Sequence, residues 1–333
     1  MPAATIRDVA ERAGVSIATV SRVLNRTSPV SEARRQLVLN AADALGYAPN
    51  PAALSLRGKR TGGIGALLPF ISGEFFSELM GGMDEAARAH GYFLVVSTSH
   101  RRPSEFRRAM GALDRRVDAL VVMAPELGGA EVASLLRPRT PVAFVNTYGE
   151  GLDADVFNFD NAAGARAATE HLLALGHRRI AFVHGPGRAR DAQARAEGYR
   201  AAMAAAGLPP RETEGGFTRE AGYAAATRLL TEDPRPTAVV AVNDYCALGV
   251  MSAMHASGVS VPGDVSIVGF DGLASAEYAT PPLTTVRVPV REVGYRAVEK
   301  LVQHLAHEGT PLTQETEPVA LVVRGSTSPP REA

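Results

Sequence analysis

The sequence predicts a small all-α head of the helix-turn-helix type, followed by a larger α/β part made of two doubly wound halves. Two short apolar-periodic segments meet at Gly14 near the N-terminus. From residue 62 onward, short apolar runs alternate with helical stretches, and basic residues are concentrated in the first 60 positions. At 333 residues, the chain is also too long for one ordinary hydrophobic core.

The first helix of the head is expected to begin at about Ile6 and to stop at Gly14. Thr5 and Asp8 have the spacing of an N-terminal capping pair. Gly14 can adopt the left-handed conformation that turns the chain. Ser16 can then cap a second helix with its hydroxyl.

The second helix is expected to have two faces. Apolar spacing turns Thr19, Val20 and Val23 toward the first helix. Helix pairs that turn at a glycine also occur in all-α cores, so the pair alone is moderate evidence for DNA binding. The outward face is left for a partner and carries Ile17, Ala18, Ser21 and Arg22.

Residues 50–58 are predicted to form a short hinge helix. Asn50 is a helix-capping residue, Pro51 occupies the first helical position, and Gly58 follows the end. Two turns are far fewer than the roughly 12 to 15 residues that an isolated helix needs in water. We therefore expect this helix to form when two copies meet over DNA, with Leu56 as an apolar wedge in the minor groove.

Charge is distributed unevenly along a chain whose formal net charge is zero. Residues 1–60 contain nine Lys and Arg against four Asp and Glu, whereas the remainder contains 26 against 31. This asymmetry is typical of a basic DNA-binding head on a neutral-to-acidic sensor.

The alternation beyond residue 62 predicts parallel sheets covered by helices. Buried strands are expected at 64–68, 92–97, 119–123, 142–146, 180–184, 238–242 and 265–269. Helices are expected at 76–90, 104–116, 162–175, 191–206, 220–230 and 245–257.

Patterns for enzymatic or cofactor chemistry are weak in this sequence. Gly185-Pro186-Gly187 follows an expected strand, but Arg190 stands where a dinucleotide fingerprint has its third glycine. The sequence contains no phosphate-binding loop, nucleophile elbow or His-Glu-x-x-His motif. Cys246 is the single cysteine, so an intrachain disulfide is impossible. We therefore expect no enzyme activity, no cofactor and no metal.

Residues after the expected strands could instead bind a polyol or sugar. Such a ligand needs amides, carboxylates or guanidinium groups for its hydroxyls and an aromatic face for its C–H side. Each candidate also has a structural explanation, since the Phe residues could be core and the Asp and Asn residues could stabilise helix ends. The candidates are Phe75, Phe76, Asn146, Asp191, Arg195, Phe217, Asn243 and Asp271.

Several groups of residues in fixed order resemble the LacI family of bacterial transcription regulators. They are Ala13-Gly14-Val15-Ser16, Thr19 to Asn25, Val30-Ser31, Leu45 to Asn50 and Leu56. The resemblance implies a periplasmic-binding-protein-like sensor with its effector in the cleft between two subdomains. It also implies a homodimer that binds a near-palindromic operator in double-stranded DNA, and it supports the eight effector candidates above.

The resemblance and the sequence together imply three parts. Residues 1–49 would form the DNA-binding domain, 50–61 the hinge helix and linker, and 62–333 the effector-binding and dimerisation domain. Within the last part, the N-subdomain would comprise 62–160 and 291–321, and the C-subdomain 161–290 and 322–333.

The predicted function is that of a sequence-specific transcriptional regulator, most simply a repressor, controlled by a small molecule. Phosphate neutralisation by Arg and by hydroxyl side chains would supply affinity, whereas groove contacts would supply specificity. Base contacts are expected from Ile17, Ala18, Arg22 and Leu56. Backbone contacts are expected from Arg7, Ser16, Thr19, Ser21, Asn25, Arg26, Ser31 and Arg34.

A sugar or sugar derivative is the expected effector. Purine-sensing relatives place an arginine three residues after the Gly-Pro turn, where this chain has Ala189. Asp191 favours hydroxyl donors and repels phosphates, although a phosphorylated effector could still use Arg188 or Arg190. A sugar-binding receptor without regulatory DNA binding is the alternative function.

A cytoplasmic location is expected. The N-terminus lacks the apolar core of a signal peptide, and charged residues interrupt every long apolar stretch.

Overall fold

The structure is a computed structural model that describes residues 4–25, 29–47, 60–100, 102–114, 116–128, 131–132, 134, 140–148 and 152–331. The chain divides into two compact units, Met1–Thr61 and Gly62–Ala333. The predicted hinge helix 50–58, which includes Leu56, lies outside the described residues, as do Arg26 and the side chain of Asn25.

The head contains three helices, namely α1 (Ile6–Ala13), α2 (Ile17–Asn25) and α3 (Glu32–Ala44). The predicted cap of α1 is present, because the Asp8 amide donates to Thr5 Oγ1 and the Thr5 amide donates to Asp8 Oδ2 at 2.6 Å. Gly14 ends the helix in the left-handed region at φ 64°. Ser16 Oγ accepts a hydrogen bond from the amide of Thr19 at 3.2 Å, as expected for the start of α2.

A small apolar core joins these three helices. Val9 from α1, Val20 from α2 and Val38 from α3 are completely buried, and Val23 is almost so. Val15, in the turn, packs against the same core. Val20 and Val23 of α2 therefore point inward as expected, Ile17, Ala18 and Arg22 are exposed as expected, and Thr19 and Ser21 are half-buried between the two faces.

The larger unit contains twelve strands in its described part. In chain order they are β1 (Gly63–Leu68), β2 (Phe93–Thr98), β3 (Ala119–Val122), β4 (Val142–Val145), β5 (Asp155–Phe159), β6 (Ile180–Val183), β7 (Arg211–Thr213), β8 (Ala238–Ala241), β9 (Ser266–Asp271), β10 (Thr284–Arg287), β11 (Gln314–Glu317) and β12 (Ala320–Val322).

Eight further helices accompany these strands in the described residues. They are α4 (Glu74–Ala89), α5 (Pro103–Leu113), α6 (Asn161–Ala174), α7 (Arg190–Ala205), α8 (Arg219–Leu229), α9 (Asp244–Ala256), α10 (Ala274–Glu277) and α11 (Val290–Ala306).

Two six-stranded sheets organise the unit. The first has the order β11-β5-β4-β3-β1-β2 and is entirely parallel. The second has the order β12-β10-β9-β8-β6-β7 and is parallel except where β12 pairs with β10. Strands β1, β3, β6, β8 and β9 are buried along their whole length. This burial explains the unbroken runs without polar side chains in β1, β3, β6 and β8, and the similar run from Ile267 to Phe270 in β9. The predicted α/β class with two doubly wound halves is confirmed.

Strands β5, β7, β10, β11 and β12 and helices α3, α10 and α11 were missing from the sequence prediction. Most of these strands are short and rich in polar residues, as in the edge strand β11 with the sequence Gln-Glu-Thr-Glu. An edge strand needs no unbroken apolar run, so its pattern is inconspicuous. Helix α11 does carry apolar residues at helical spacing, including Val290, Val293, Ala297 and Leu301.

The chain passes between the sheets three times, after Phe159, after Arg287 and between Glu317 and Ala320. The two sheets direct the carboxyl ends of their parallel strands toward a common cleft. Within the described part of the chain, none of the helices combines the length and apolar character needed to span a bilayer.

Candidate DNA-binding surface and effector cavity

The outward face of α2 presents the residues that the sequence assigned to base contacts. Ile17 is 44% exposed, which is high for a large apolar side chain, and Ala18 and Arg22 are also exposed. Val20 on the opposite face is completely buried and fixes the rotation of the helix. The surface therefore offers one guanidinium group beside two apolar contacts.

The residues assigned to phosphate contacts lie on all three helices of the head and at their ends. Arg7, Ser31 and Arg34 are exposed, and Ser31 stands at the N-cap of α3 without a side-chain capping bond. Ser16 and Thr19 are joined by a hydroxyl hydrogen bond of 2.9 Å. Ser21 is half-buried. Helix termini and hydroxyl groups of this kind are common partners of DNA phosphates.

A cavity of about 660 Å³ lies between the two sheets of the larger unit. Its volume falls within the typical range for small-molecule sites, about 300 to 1,000 Å³. Side chains at the carboxyl ends of strands from both sheets line it, which is the usual ligand position in open α/β folds. The lining includes seven of the eight predicted residues, namely Phe75, Phe76, Asp191, Arg195, Phe217, Asn243 and Asp271.

Arg195 is the buried cation of this cavity. Its Nε donates to Asn161 Oδ1 at 2.8 Å and its Nη1 donates to the carbonyl of Val242 at 2.7 Å. Its guanidinium carbon lies 3.8 Å from the centre of the Phe270 ring. With 3% of its surface exposed, Arg195 is held rigidly by groups on all sides.

Asp271 ends β9 beside this cation. Its Oδ1 lies 3.2 Å from Nη2 of Arg195, but no well-aligned hydrogen bond reaches Oδ1 within the described residues. Its φ of 111° lies in a region that side chains other than glycine rarely adopt. Burial, opposed by Arg195 and reinforced by Asp191, raises the pKa of Asp271 to about 6. Asp271 therefore combines backbone strain, burial and an available acceptor oxygen.

Asn146 does not line the cavity and instead supports Asp191 from behind. Its Nδ2 donates to Asp191 Oδ2 at 3.2 Å, which is a contact across the cleft from β4 to α7. Its Oδ1 accepts from Nδ2 of Asn161. Asn146 is also strained, with φ at 46°. The sequence placed Asn146 near the cavity, and in the structure it positions the carboxylate of Asp191, which does line the cavity.

Asn243 lines the cavity and also caps α9. Its Oδ1 accepts from the amide of Cys246 at 2.9 Å, and its Nδ2 donates to the carbonyl of Phe217 at 3.2 Å. The capping alternative considered from the sequence is therefore correct for this residue. Cavity lining and capping coexist, because the helix begins at the cavity wall.

Aromatic rings form much of the cavity wall. Phe75 and Phe76 meet edge to face at 5.4 Å, and Phe76 meets Phe70 at 6.4 Å. Phe217 and Tyr245 line the side that belongs to the second sheet. These rings provide the apolar surface against which the C–H face of a sugar ring can pack.

Sequence reasoning did not select several residues of this region, among them Phe70, Tyr245, Asn161 and Glu74. Tyr245 and Phe70 line the cavity. Asn161 and Glu74 instead contact lining residues, since Asn161 accepts a hydrogen bond from Arg195 and the amide of Glu74 donates to Tyr245. Tyr245 lies two positions after Asn243, so its place just beyond the end of β8 could have identified it as a cavity residue. Nothing in the local pattern around Glu74 indicates its contact with residues about 170 positions away.

Ala189 is completely buried and does not belong to the cavity lining. The alanine at position 189 is therefore a weaker indication of the ligand class than the residues that line the cavity. Among the described residues, no group of His, Cys, Asp and Glu is arranged to hold a metal ion.

Comparison with known proteins gives two matching families along the chain. Residues 5–50 match the family described as "Bacterial regulatory proteins, lacI family", and residues 169–327 match "Periplasmic binding protein-like domain". The transcriptional repressor PurR of Vibrio parahaemolyticus is 37% identical over 309 residues, which cover 91% of this chain and 92% of that protein.

Solved structures agree over nearly the whole chain. The lac repressor dimer bound to operator and the anti-inducer ONPF superposes with a TM-score of 0.86 at 31% identity, covering 98% of this chain and 99% of that one. The CelR–cellobiose complex has a TM-score of 0.71 at 31% identity, covering 97% of this chain and 99% of that one. These similar structures each cover both the helix-turn-helix head and the α/β unit that contains the cavity. The chain therefore belongs to the LacI family of bacterial regulatory proteins and is a DNA-binding transcriptional regulator rather than an enzyme.

Proposed function

We propose that this protein is a repressor that binds a near-palindromic operator as a homodimer and responds to a neutral sugar or sugar derivative. The observation that carries the effector assignment is the strained, buried carboxylate of Asp271 at the wall of the 660 Å³ cavity. Backbone strain is retained where the surrounding structure holds it, and it is concentrated at ligand sites.

The operator would be read by α2 in the major groove. Arg22 supplies a donor for a guanine edge, and Ile17 and Ala18 supply apolar contact to a thymine methyl group. Phosphates would be held by Arg7, Arg26 and Arg34 and by the side chains of Ser16, Thr19, Ser21, Asn25 and Ser31. Leu56 would insert into the minor groove from the hinge helix.

We keep the division into a head of residues 1–49, a hinge of 50–61 and a sensor of 62–333. The third crossing of the sensor is proposed near residues 318–319, because Ala320–Val322 pairs with β10 of the second sheet. The N-subdomain would then be built around the first sheet and the C-subdomain around the second.

A dimer is supported by apolar side chains that the larger unit leaves exposed. Phe93 and Val96 on the edge strand β2 are 49% and 38% exposed, and Tyr278 is 83% exposed. An apolar edge strand favours pairing with another chain. The lac repressor structure similar to this chain is a dimer on its operator, and one head alone would bury little surface for specific binding.

A sugar fits the balance of groups in the cavity. Asp191 and Asp271 offer carboxylate oxygens that can accept from hydroxyl groups, while Arg195 and the amide of Asn243 already have protein partners. Three carboxylates, including Glu220, face the same space and disfavour a phosphate or carboxylate ligand. The similar CelR structure contains cellobiose, which shows that this architecture accommodates a disaccharide.

Regulation would follow from a change in the cleft between the subdomains. A ligand that binds one cleft state better shifts the population toward it. The hinge helices of the dimer would then move together or apart and change operator affinity.

Two measurements test the proposal. The full-length protein is mixed with DNA from upstream of its own gene and with scrambled duplex, and band shifts are recorded at physiological salt. Calorimetric titrations with cellobiose, ribose and hypoxanthine then identify the ligand class. We expect preference for the natural DNA and heat from a sugar that is lost in Asp271→Asn. Binding of hypoxanthine alone would overturn the sugar assignment, and equal affinity for scrambled DNA would leave the sugar-receptor alternative.

A further inference from the structure

Glu74 makes two contacts across the cleft from a single residue. It is the first residue of α4, which packs on the first sheet. Its backbone amide donates to the hydroxyl of Tyr245 at 2.9 Å, and its Oε2 accepts from the amide of Ser275 at 2.9 Å. Tyr245 and Ser275 both belong to the part of the chain that surrounds the second sheet.

These contacts satisfy helix ends that lack local caps. Gly73 precedes α4 without a capping side chain, so the first amide of that helix depends on Tyr245. Leu273 precedes α10 and also supplies no side-chain cap, so the Ser275 amide depends on Glu74. Each side of the cleft therefore caps the other, and opening would transfer both amides to water.

The same residues shape the cavity wall. Tyr245 lines the cavity, and the guanidinium carbon of Arg219 lies 4.8 Å from its ring centre. Gly73 also lines the cavity with φ at 99°, and a Cβ there would lie 3.1 Å from the Tyr245 ring. The ring is thus held between Gly73, Arg219 and the amide of Glu74.

We propose that Glu74, Tyr245 and Ser275 form a cross-cleft clasp in which Glu74 is a positioning residue that holds the Tyr245 ring against the cavity and couples its placement to cleft closure. This inference rests on the proposed effector cavity. Because Tyr245 belongs to both the wall and the clasp, a ligand seated against its ring alters the strength of the clasp. Its two hydrogen bonds form and break together, since both require the same approach of the two subdomains.

The clasp is tested on the full-length, ligand-free protein by amide hydrogen exchange resolved to single residues. Glu74→Ala removes the acceptor for Ser275, Tyr245→Phe removes the acceptor for Glu74, and Glu74→Gln keeps an acceptor oxygen. Glu78→Ala is the matched control, because Glu78 lies one turn further along α4 and pairs with Arg291 on the same side of the cleft. Exchange at Val240 in buried strand β8 reports whether each variant remains folded.

We expect Tyr245→Phe to raise exchange about tenfold at Glu74 and also at Ser275, which keeps its own acceptor in this variant. Glu74→Ala should raise exchange at both amides, while Glu74→Gln and Glu78→Ala should stay near the parent. An increase confined to the amide that lost its acceptor would overturn the clasp. Since no ligand is present, this result is independent of whether the cavity binds a sugar.

Discussion

Oδ1 of Asp271 lies 3.2 Å from Nη2 of Arg195, and both side chains are more than nine-tenths buried. The pair does not cancel the cost of burying the carboxylate, because the pKa of Asp271 is still raised to about 6 by burial. A buried carboxylate oxygen without a hydrogen-bond donor raises the free energy of the folded protein, and a donor that reaches it removes that cost. Under the proposed function, the hydroxyl groups of the ligand would supply the hydrogen bonds that Asp271 Oδ1 lacks.

The first prediction concerns Asp271→Asn, which keeps the shape and removes the charge. A carboxyl group whose pKa is raised on folding contributes most stability below its unfolded value near 3.9, and that contribution is lost as pH rises through about 6. At pH 7.5 the variant should therefore unfold at a denaturant concentration equal to or above that of the parent, while sugar affinity falls about a hundredfold. Asp153→Asn, at an exposed position, is the control. A marked decrease in the stability of the variant would contradict this prediction, because it would show that the ion pair with Arg195 outweighs the cost of burying the carboxylate.

The second prediction is the pH dependence of effector binding. Hydroxyl groups donate to the ionised carboxylate, so binding requires Asp271 without its proton. Affinity measured by calorimetry should be constant above about pH 7 and should decrease as pH falls below about 6. Asp271→Asn should remove this dependence, and a parent profile that stays flat down to pH 5 would contradict the role of Asp271.

The third prediction distinguishes base recognition from phosphate binding on the DNA-binding surface. Arg22→Ala should cost about 1 to 3 kcal/mol on the operator and little on random duplex, because a bidentate base contact discriminates by this amount. Arg34→Ala should weaken binding to both duplexes and reduce the slope of log affinity against log salt by about 1. Arg12→Ala, at an exposed position near the end of α1, is the control. Equal losses for Arg22→Ala on both duplexes would contradict base reading.

The fourth prediction concerns the dimer. Tyr278→Asp places a charge in a side chain that is 83% exposed in the single chain. If this residue is covered in the dimer, sedimentation equilibrium should show a dissociation constant raised tenfold or more, about 1.4 kcal/mol. Operator affinity should fall in parallel. Tyr223→Asp, on α8 and 43% exposed, is the control that should leave the assembly intact.

The fifth prediction concerns acid stability. His177 is buried, and its Nε2 donates to the carbonyl of Ser328 while Nδ1 accepts from the hydroxyl of Thr237. Burial lowers the pKa of His177 and of nearby His171, so the folded state favours the neutral rings. Their stabilising contribution is complete above the unfolded value near 6.5 and is lost as pH falls below it.

Denaturant unfolding between pH 5 and 7.5 measures this effect. His177→Gln should lower the free energy of unfolding at pH 7.5 by about 1 to 3 kcal/mol, because it leaves buried partners unpaired. Its pH slope should be shallower than that of the parent. His255→Gln, at an exposed position, should keep the parent slope.

The head was readable from the sequence because its signals are local. The Thr5 and Asp8 cap, the left-handed Gly14 and the Ser16 cap each involve residues a few positions apart. Buried parallel strands were equally visible, since burial on both faces requires an unbroken apolar run. Strands β7 and β11 lie at sheet edges and are exposed or half-buried, so they have polar sequences without such an apolar run.

Sequence alone determined the helix-turn-helix, the α/β class and seven of the residues that line the cavity, because strand ends in a doubly wound fold point to one edge. The tertiary structure decided what each residue does there. Only the approach of the two sheets brings Asn146 to Asp191 and the amide of Glu74 to Tyr245, which are 45 and 171 positions apart. Contacts of this kind depend on how the two sheets and their helices pack together, and neither local periodicity nor composition contains that information.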